Sequence, residues 1–180
     1  MKIRKQMIIA AAAGLGLLLA PAMALAADEE RGQLSRGDYK FLTDAAQANE
    51  TEVQLGELAK QKGMNQSVKT FGEKMVTDHS KANEELKAIA SQKGATLPAK
   101  LSHGERSDIE QLQKATGKDF DQDFASRMVK DHKKDVKDFE DAAKDLKDPE
   151  LKAFASKTLP TLQEHLRMAQ EMETAVKNEK

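Results

Sequence analysis

Residues 94–117, GATLPAKLSHGERSDIEQLQKATG, decide how this chain folds. The stretch opens on a glycine, breaks at Leu97-Pro98 and restarts at Ser102 with the S-x-x-E spacing of a capping box, in which Ser and Glu satisfy each other's backbone donors. Gly117 reads as the close of the short helix begun there. A connection of more than 20 residues is long enough to traverse a helical bundle, so the helix after it returns in the same direction as the helix before it. The neighbouring joints are much shorter. Gly63 reads as a left-handed stop between helices at 38–62 and 66–93, with Asn65 as the next N-cap. Asp148-Pro149-Glu150 restarts the chain between helices at 119–146 and 149–176, with an acidic cap, a proline in the first turn and an acid at the positive helix end. Short joints make antiparallel hairpins. Pro160 lies inside the last helix, where it lacks an amide and crowds the carbonyl of Ser156, so a kink is expected.

Composition agrees with an all-α chain. There is no Trp and one Tyr, while strong helix formers dominate. The expected architecture is a ferritin-like four-helix bundle over 38–177, with one long crossover carrying a short extra helix. Without cysteine there is no disulfide, thiolate chemistry or Cys-ligated zinc, so packing must hold the fold.

The first 26 residues read differently. Lys2, Arg4 and Lys5 form a positive n-region, 7–20 is an apolar run, and Ala24-Leu25-Ala26 offers a signal-peptidase site. A run of about 14 apolar residues is too short for a membrane span, which takes about 20. The expectation is a cleavable signal peptide at 1–26, a flexible segment at 27–37, and a periplasmic product with no transmembrane anchor. Cleavage removes three cations and takes the net charge from −1 to about −4. That balance carries no basic face for nucleic acid. Envelope components or further copies of the chain remain as partners.

An internal repeat lies in the bundle. FGEKMVTDHSK at 71–81 recurs as FASRMVKDHKK at 124–134, sharing F-x-x-x-M-V-x-D-H-x-K. Duplication explains the match, and it fits two parallel helices. In the first copy Val76, His79, Leu86 and Ile89/Ala90 form the apolar stripe; in the second, Val129, His132, Val136, Phe139 and Ala143 do. Both histidines therefore point inward. His165 borders the stripe of the last helix and Glu52 that of the first, which also presents Asn49. Each of the four lies about 20–24 Å into its helix at 1.5 Å per residue, so all can share one layer. Glu52, His79, His132 and His165 are thus the candidate metal ligands, a donor set suited to zinc, copper or iron. Asp78 or Asp131 can orient a neighbouring imidazole, although either aspartate taken alone reads as solvated or locally bonded. The rival reading of the histidines is structural: neutral core residues that fix helix register. His103 reads as a surface residue, and the methionines as core filling.

NETEVQLGELA at 49–59, MVTDHSKAN at 75–83, LP at 97–98, MVKDH at 128–132 and TLPTLQEHL at 158–166 together resemble a bacterial family of exported ferritin-like proteins classed as a domain of unknown function. Its members are often labelled "predicted outer membrane protein". The resemblance implies the helical fold and export, and it brings no established activity. An outer-membrane barrel needs alternating strands of about ten residues, which this sequence lacks. Di-iron bundles of ferritin type use two E-x-x-H motifs. Here Val76, Val129 and Leu162 stand three residues before the histidines, so a ferroxidase centre is not expected.

No nucleophile motif accompanies the histidines, and no catalytic residue is assigned. The favoured reading is a non-enzymatic envelope or stress-related protein. The alternative is a metal-binding oxidative-stress protein with a His-rich site in the bundle core.

Overall fold

The structure is a computed structural model that describes residues 29–178; the expected signal peptide at 1–26 lies outside the described residues. Helices α1 (Arg36–Lys62), α2 (Gln66–Lys93), α3 (His103–Lys114), α4 (Gly117–Asp145) and α5 (Pro149–Asn178) follow one another, with a further helical turn at 29–31. The first donors of each helix need acceptors, and polar side chains provide them at four of the five starts. The Ser35 hydroxyl accepts from the Asp38 amide at 3.2 Å, and the Asn65 carbonyl from the Ser67 amide at 2.7 Å. Ser102 and Glu105 form the expected capping box. Asp148 accepts from the amides of Glu150 and Leu151, both at 3.0 Å. Helix α5 continues through Pro160 without a break.

Two glycines behave differently from expectation. Gly63 is not left-handed; its φ is −55° and ψ 133°. It is needed for space, because a Cβ there would fall 2.7 Å from the Ala59 carbonyl oxygen and 2.9 Å from a Val68 methyl. Gly117 opens α4 with φ +61°, while the short helix has already ended at Lys114.

Two buried aspartates set the topology. Asp121, near the start of α4, accepts from the Met64 amide (3.1 and 3.2 Å) and the Asn65 amide (2.7 Å), both in the α1–α2 turn. Asp38, near the start of α1, accepts from the Lys147 amide at 2.9 Å in the α4–α5 turn. Each hairpin thus caps the turn of the other. Helix α4 consequently starts at the same end of the bundle as α2 and runs parallel to it. This is the four-helix bundle with one long crossover, α3 lying on that crossover. At the opposite end, Lys93 bridges Asp148 at 2.9 Å and Glu150 at 3.0 Å.

Residues 29–35, expected within a flexible lead-in, are tied to the end of α2. The Gln33 amide donates to the Lys93 carbonyl at 2.9 Å, the Thr96 amide donates to the Glu30 carbonyl at 2.7 Å, and Leu34 is buried. Among the described residues no helix is long and apolar enough to cross a membrane.

The interior divides into two apolar clusters. One gathers Phe71, Met75, Phe120, Phe124, Met128 and Met172; the other gathers Leu42, Leu86, Phe139, Leu151, Phe154 and Leu162. Between them along the helices lie the buried polar residues Asn49, Glu52, His79, His132 and His165. Within the first hairpin the helix backbones touch: a Cβ on Gly56 would lie 2.7 Å from the Gly72 carbonyl oxygen, and one on Gly72 2.7 Å from that of Gly56.

Asp121→Ala leaves two donors of the first turn without their acceptor, so it should lower the unfolding free energy by about 2–3 kcal/mol. Asp138→Ala, an exposed ion-pair partner of Lys134, should change it by less than about 1 kcal/mol. Urea unfolding of both variants measures the contrast; equal effects would contradict the interlocked-turn account.

Candidate metal centre

Three helices bring one histidine each to the polar layer. His79 comes from α2, His132 from α4 and His165 from α5, with exposures of 3%, 0% and 1%. Their ring centroids are 5.7 Å (His79–His132), 5.4 Å (His79–His165) and 5.3 Å (His132–His165) apart. One ring nitrogen of each lies within 4.8 Å of one from each of the others. Phe71 closes the layer on one side, its ring centroid 6.0 Å from His132 and 6.3 Å from His165.

Each imidazole has one nitrogen engaged at the periphery. His79 Nδ1 donates to the Asn49 carbonyl oxygen at 2.8 Å. His132 Nδ1 donates to the Met128 carbonyl at 3.0 Å, one turn back on its own helix. His165 Nε2 donates to an Asp78 carboxylate oxygen at 2.8 Å, across the seam between α2 and α5. All three partners are acceptors, so the proton of each neutral ring sits on the engaged nitrogen. The other nitrogen then carries a lone pair. These remaining atoms (His79 Nε2, His132 Nε2 and His165 Nδ1) are buried without a partner, as are Glu52 Oε2 and Asn49 Nδ2. Every buried, unpartnered side-chain atom among the described residues thus belongs to this one layer. A polar atom so placed costs about 1–3 kcal/mol.

Electrostatics keeps the rings neutral. Burial, with the neighbouring His132 and His165, holds His79 well below the ordinary imidazole value. Burial and His165 push His132 down to about 4. Burial also lowers His165, although Asp78 pulls the other way. Asp78 is itself half-buried; its bonds to Lys74 and His165 overcome the effect of burial and keep its carboxyl below the usual range. Neutral imidazole is the form that binds a metal, with the second nitrogen held by an outer acceptor.

Glu52 departs from the expected ligand set. It is 3% exposed and in the layer, but it is not among the residues whose ligand atoms lie within 4.8 Å of one another. Burial raises its carboxyl well above the usual range, and Asp135 and Asp131 add to this while Arg127 opposes it. The charges acting on it therefore come from α4. Asp131, the counterpart of Asp78 in the repeat, bonds to Arg127 on its own helix at 2.6 Å and reaches no imidazole. His103 is exposed, as expected. The sequence reading anticipated the inward histidines; Asn49 as the acceptor for His79 and Phe71 as a wall were not assigned. Both stood on the inner faces, at three- and eight-residue offsets from Glu52 and His79.

The depressed imidazoles set a direction for acid stability. With folded values below the unfolded value of about 6.5, the unfolded chain binds more protons as pH falls, and stability contributed above about pH 6.5 is lost through about 4 for His132. Glu52 and Asp135 act in the opposite sense, and are common to both proteins in the following comparison. In metal-free protein, urea midpoints between pH 7.5 and 4.5 should fall less steeply for His132→Leu than for the wild type. Equal slopes would count against a buried neutral His132.

The profile of a family described as "Domain of unknown function (DUF4142)" matches residues 23–172. No curated protein matches the sequence. Among solved structures, a DUF305 fragment from Deinococcus radiodurans superposes with a TM-score of 0.70 at 11% identity, covering 79% of this chain and 98% of its own. A protein described as CopM in the Cu(II)-bound form superposes with a TM-score of 0.66 at 18% identity, covering 77% of this chain and 96% of its own. At these identities the likeness is one of fold. The match over 23–172, most of its length, shows that the chain belongs to the DUF4142 family.

Proposed function

We propose that this protein binds one transition-metal ion through His79, His132 and His165, and that it holds or passes on the ion rather than catalysing a reaction. The observation that carries the reading is the pattern of the imidazole nitrogens. One nitrogen of each ring is fixed on an acceptor, the other has none, and ligand atoms from all three converge within 4.8 Å. Tetrahedral bonds of about 2.0 Å place ligand nitrogens about 3.3 Å apart, so the rings need to draw in by rotamer adjustment when an ion arrives. Uncharged nitrogen donors suit zinc, copper and iron, with copper favoured by intrinsic affinity. A copper-bound neighbour of the same fold supports including copper first in any assay. The structural alternative leaves three lone pairs unanswered in the core.

Burial argues against catalysis: the three histidines are 3%, 0% and 1% exposed, which leaves a bound ion no direct face for a substrate. Residues 1–26 carry the features of a secretory signal, and the proposal places the protein in the periplasm.

Protein stripped with chelator and reloaded should take up one equivalent of copper or zinc, by elemental analysis. At a free-ion concentration a thousand times Kd, the unfolding free energy should rise by about 4 kcal/mol. His79→Leu and His132→Leu should abolish uptake and the stabilisation while remaining folded, since each removes an unanswered polar atom along with the ligand. Wild-type protein that stays metal-free, with melting unmoved by copper, zinc or iron, would sink the proposal.

A further inference from the structure

An ion bound by the three histidines must first cross a seam between helices, because the rings are sealed from solvent. Three of the four seams offer poor passage. Helices α1 and α2 touch backbone to backbone at Gly56 and Gly72. Helices α4 and α5 pack along their length. Between α2 and α5 the Asp78–His165 bond fills the gap at the level of the layer, and Lys74 Nζ sits on Asp78 at 2.9 Å, a fixed positive charge facing any approaching cation.

The seam between α1 and α4 is different. It holds an open groove of about 800 Å³. On α1 the groove's lining ends at Ala48, and on α4 it begins at Lys134 and Asp135. Those ends fall four residues short of Glu52 on α1 and two residues short of His132 on α4. Of the aspartates farther out, Asp44 is paired with Lys40, Asp138 with Lys134 and Asp141 with Lys137, while Asp145, ten residues beyond Asp135 at the outer end, makes no ion pair. Asp135 makes no ion pair or hydrogen bond. Beyond it lies Glu52, buried, with Oε2 unpartnered. Asp135 and Asp131 are the strongest charges acting on Glu52.

Taking the three histidines as a metal centre, we propose that the α1–α4 groove is the route by which the cation reaches them. Asp135 receives the ion at the inner end of the groove and Glu52 hands it to the imidazoles. Carboxylate oxygens suit a partly hydrated cation, and the nitrogen donors beyond them bind zinc or copper more firmly. The groove walls carry both signs, with Arg36, Lys40, Lys134 and Lys147 among the aspartates, so the pull on a cation comes from the carboxylates at its inner end. The two carboxylates therefore govern the rate of loading, while the imidazoles govern affinity.

Stopped-flow mixing of metal-free protein with Zn²⁺, followed by competition with a chromophoric chelator, separates these roles. Asp135→Asn and Glu52→Gln should each slow loading by about tenfold or more and slow release in proportion, leaving Kd unchanged. Raising the salt concentration should slow the wild type more than Asp135→Asn. Glu50→Gln, exposed on α1 away from the groove, should load at the wild-type rate. Wild-type loading rates in both groove variants would overturn the route while leaving the metal centre intact. Weakened affinity in Glu52→Gln at an unchanged loading rate would make Glu52 a ligand and also overturn it. Failure of the wild type to bind Zn²⁺ or Cu²⁺ would instead remove the metal centre on which the route rests.

Discussion

Imidazole can be buried at modest cost only if it is neutral and its two nitrogens are both answered, one as donor and one as acceptor. Here the donor half of that condition is met three times, by an amide oxygen, a main-chain carbonyl and a carboxylate. The acceptor half is left open, and in one place. Much else in the bundle is arranged around that layer. The apolar interior is split into two clusters with the polar residues between them, and Phe71 lies against two of the rings. Asp78 is held charged between Lys74 and His165, so it remains a strong acceptor.

How much of this could be read from the sequence depended on whether the determining interaction was local. The helices were legible because caps and apolar stripes are local: Asn65, the Ser102/Glu105 box and Asp148 act within a few residues of themselves. The inward set of His79 and His132 followed from the same periodicity. Gly63 was misread because its local cue, a glycine after a helix, was outweighed by crowding from Ala59 and Val68 and by a capping group 58 positions later in the chain. Glu52 illustrates the limit more sharply. Periodicity placed it in the correct layer, but which neighbour it faces depends on how α1 lies against α4, and no pattern along one helix encodes that. Asp78 and Asp131 occupy equivalent places in the repeat, yet one bonds across to His165 and the other back to Arg127. The difference rests on which helix lies opposite, and on an arginine where the first copy has Lys74.

The reciprocal caps at Asp38 and Asp121 were likewise silent in the sequence. Each looks like an ordinary acid near a helix start, where a negative charge is welcome to the helix dipole. Their burial and their reach into the opposite hairpin emerge only after the crossover has brought α4 alongside α1. They also fix the axial offset between hairpins, which is what lets residues separated by 86 positions, His79 and His165, meet at one depth.

The contact of Gly56 with Gly72 brings α1 and α2 backbone to backbone, so the first hairpin is a closely packed unit. His79 belongs to that unit, whereas His132 and His165 belong to the other. Anything gripped by all three rings would therefore be a cross-link between the two halves of the molecule. In a chain without cysteine, such a link takes the place of a staple: it restricts how far the hairpins can part, and it can be withdrawn without breaking a covalent bond.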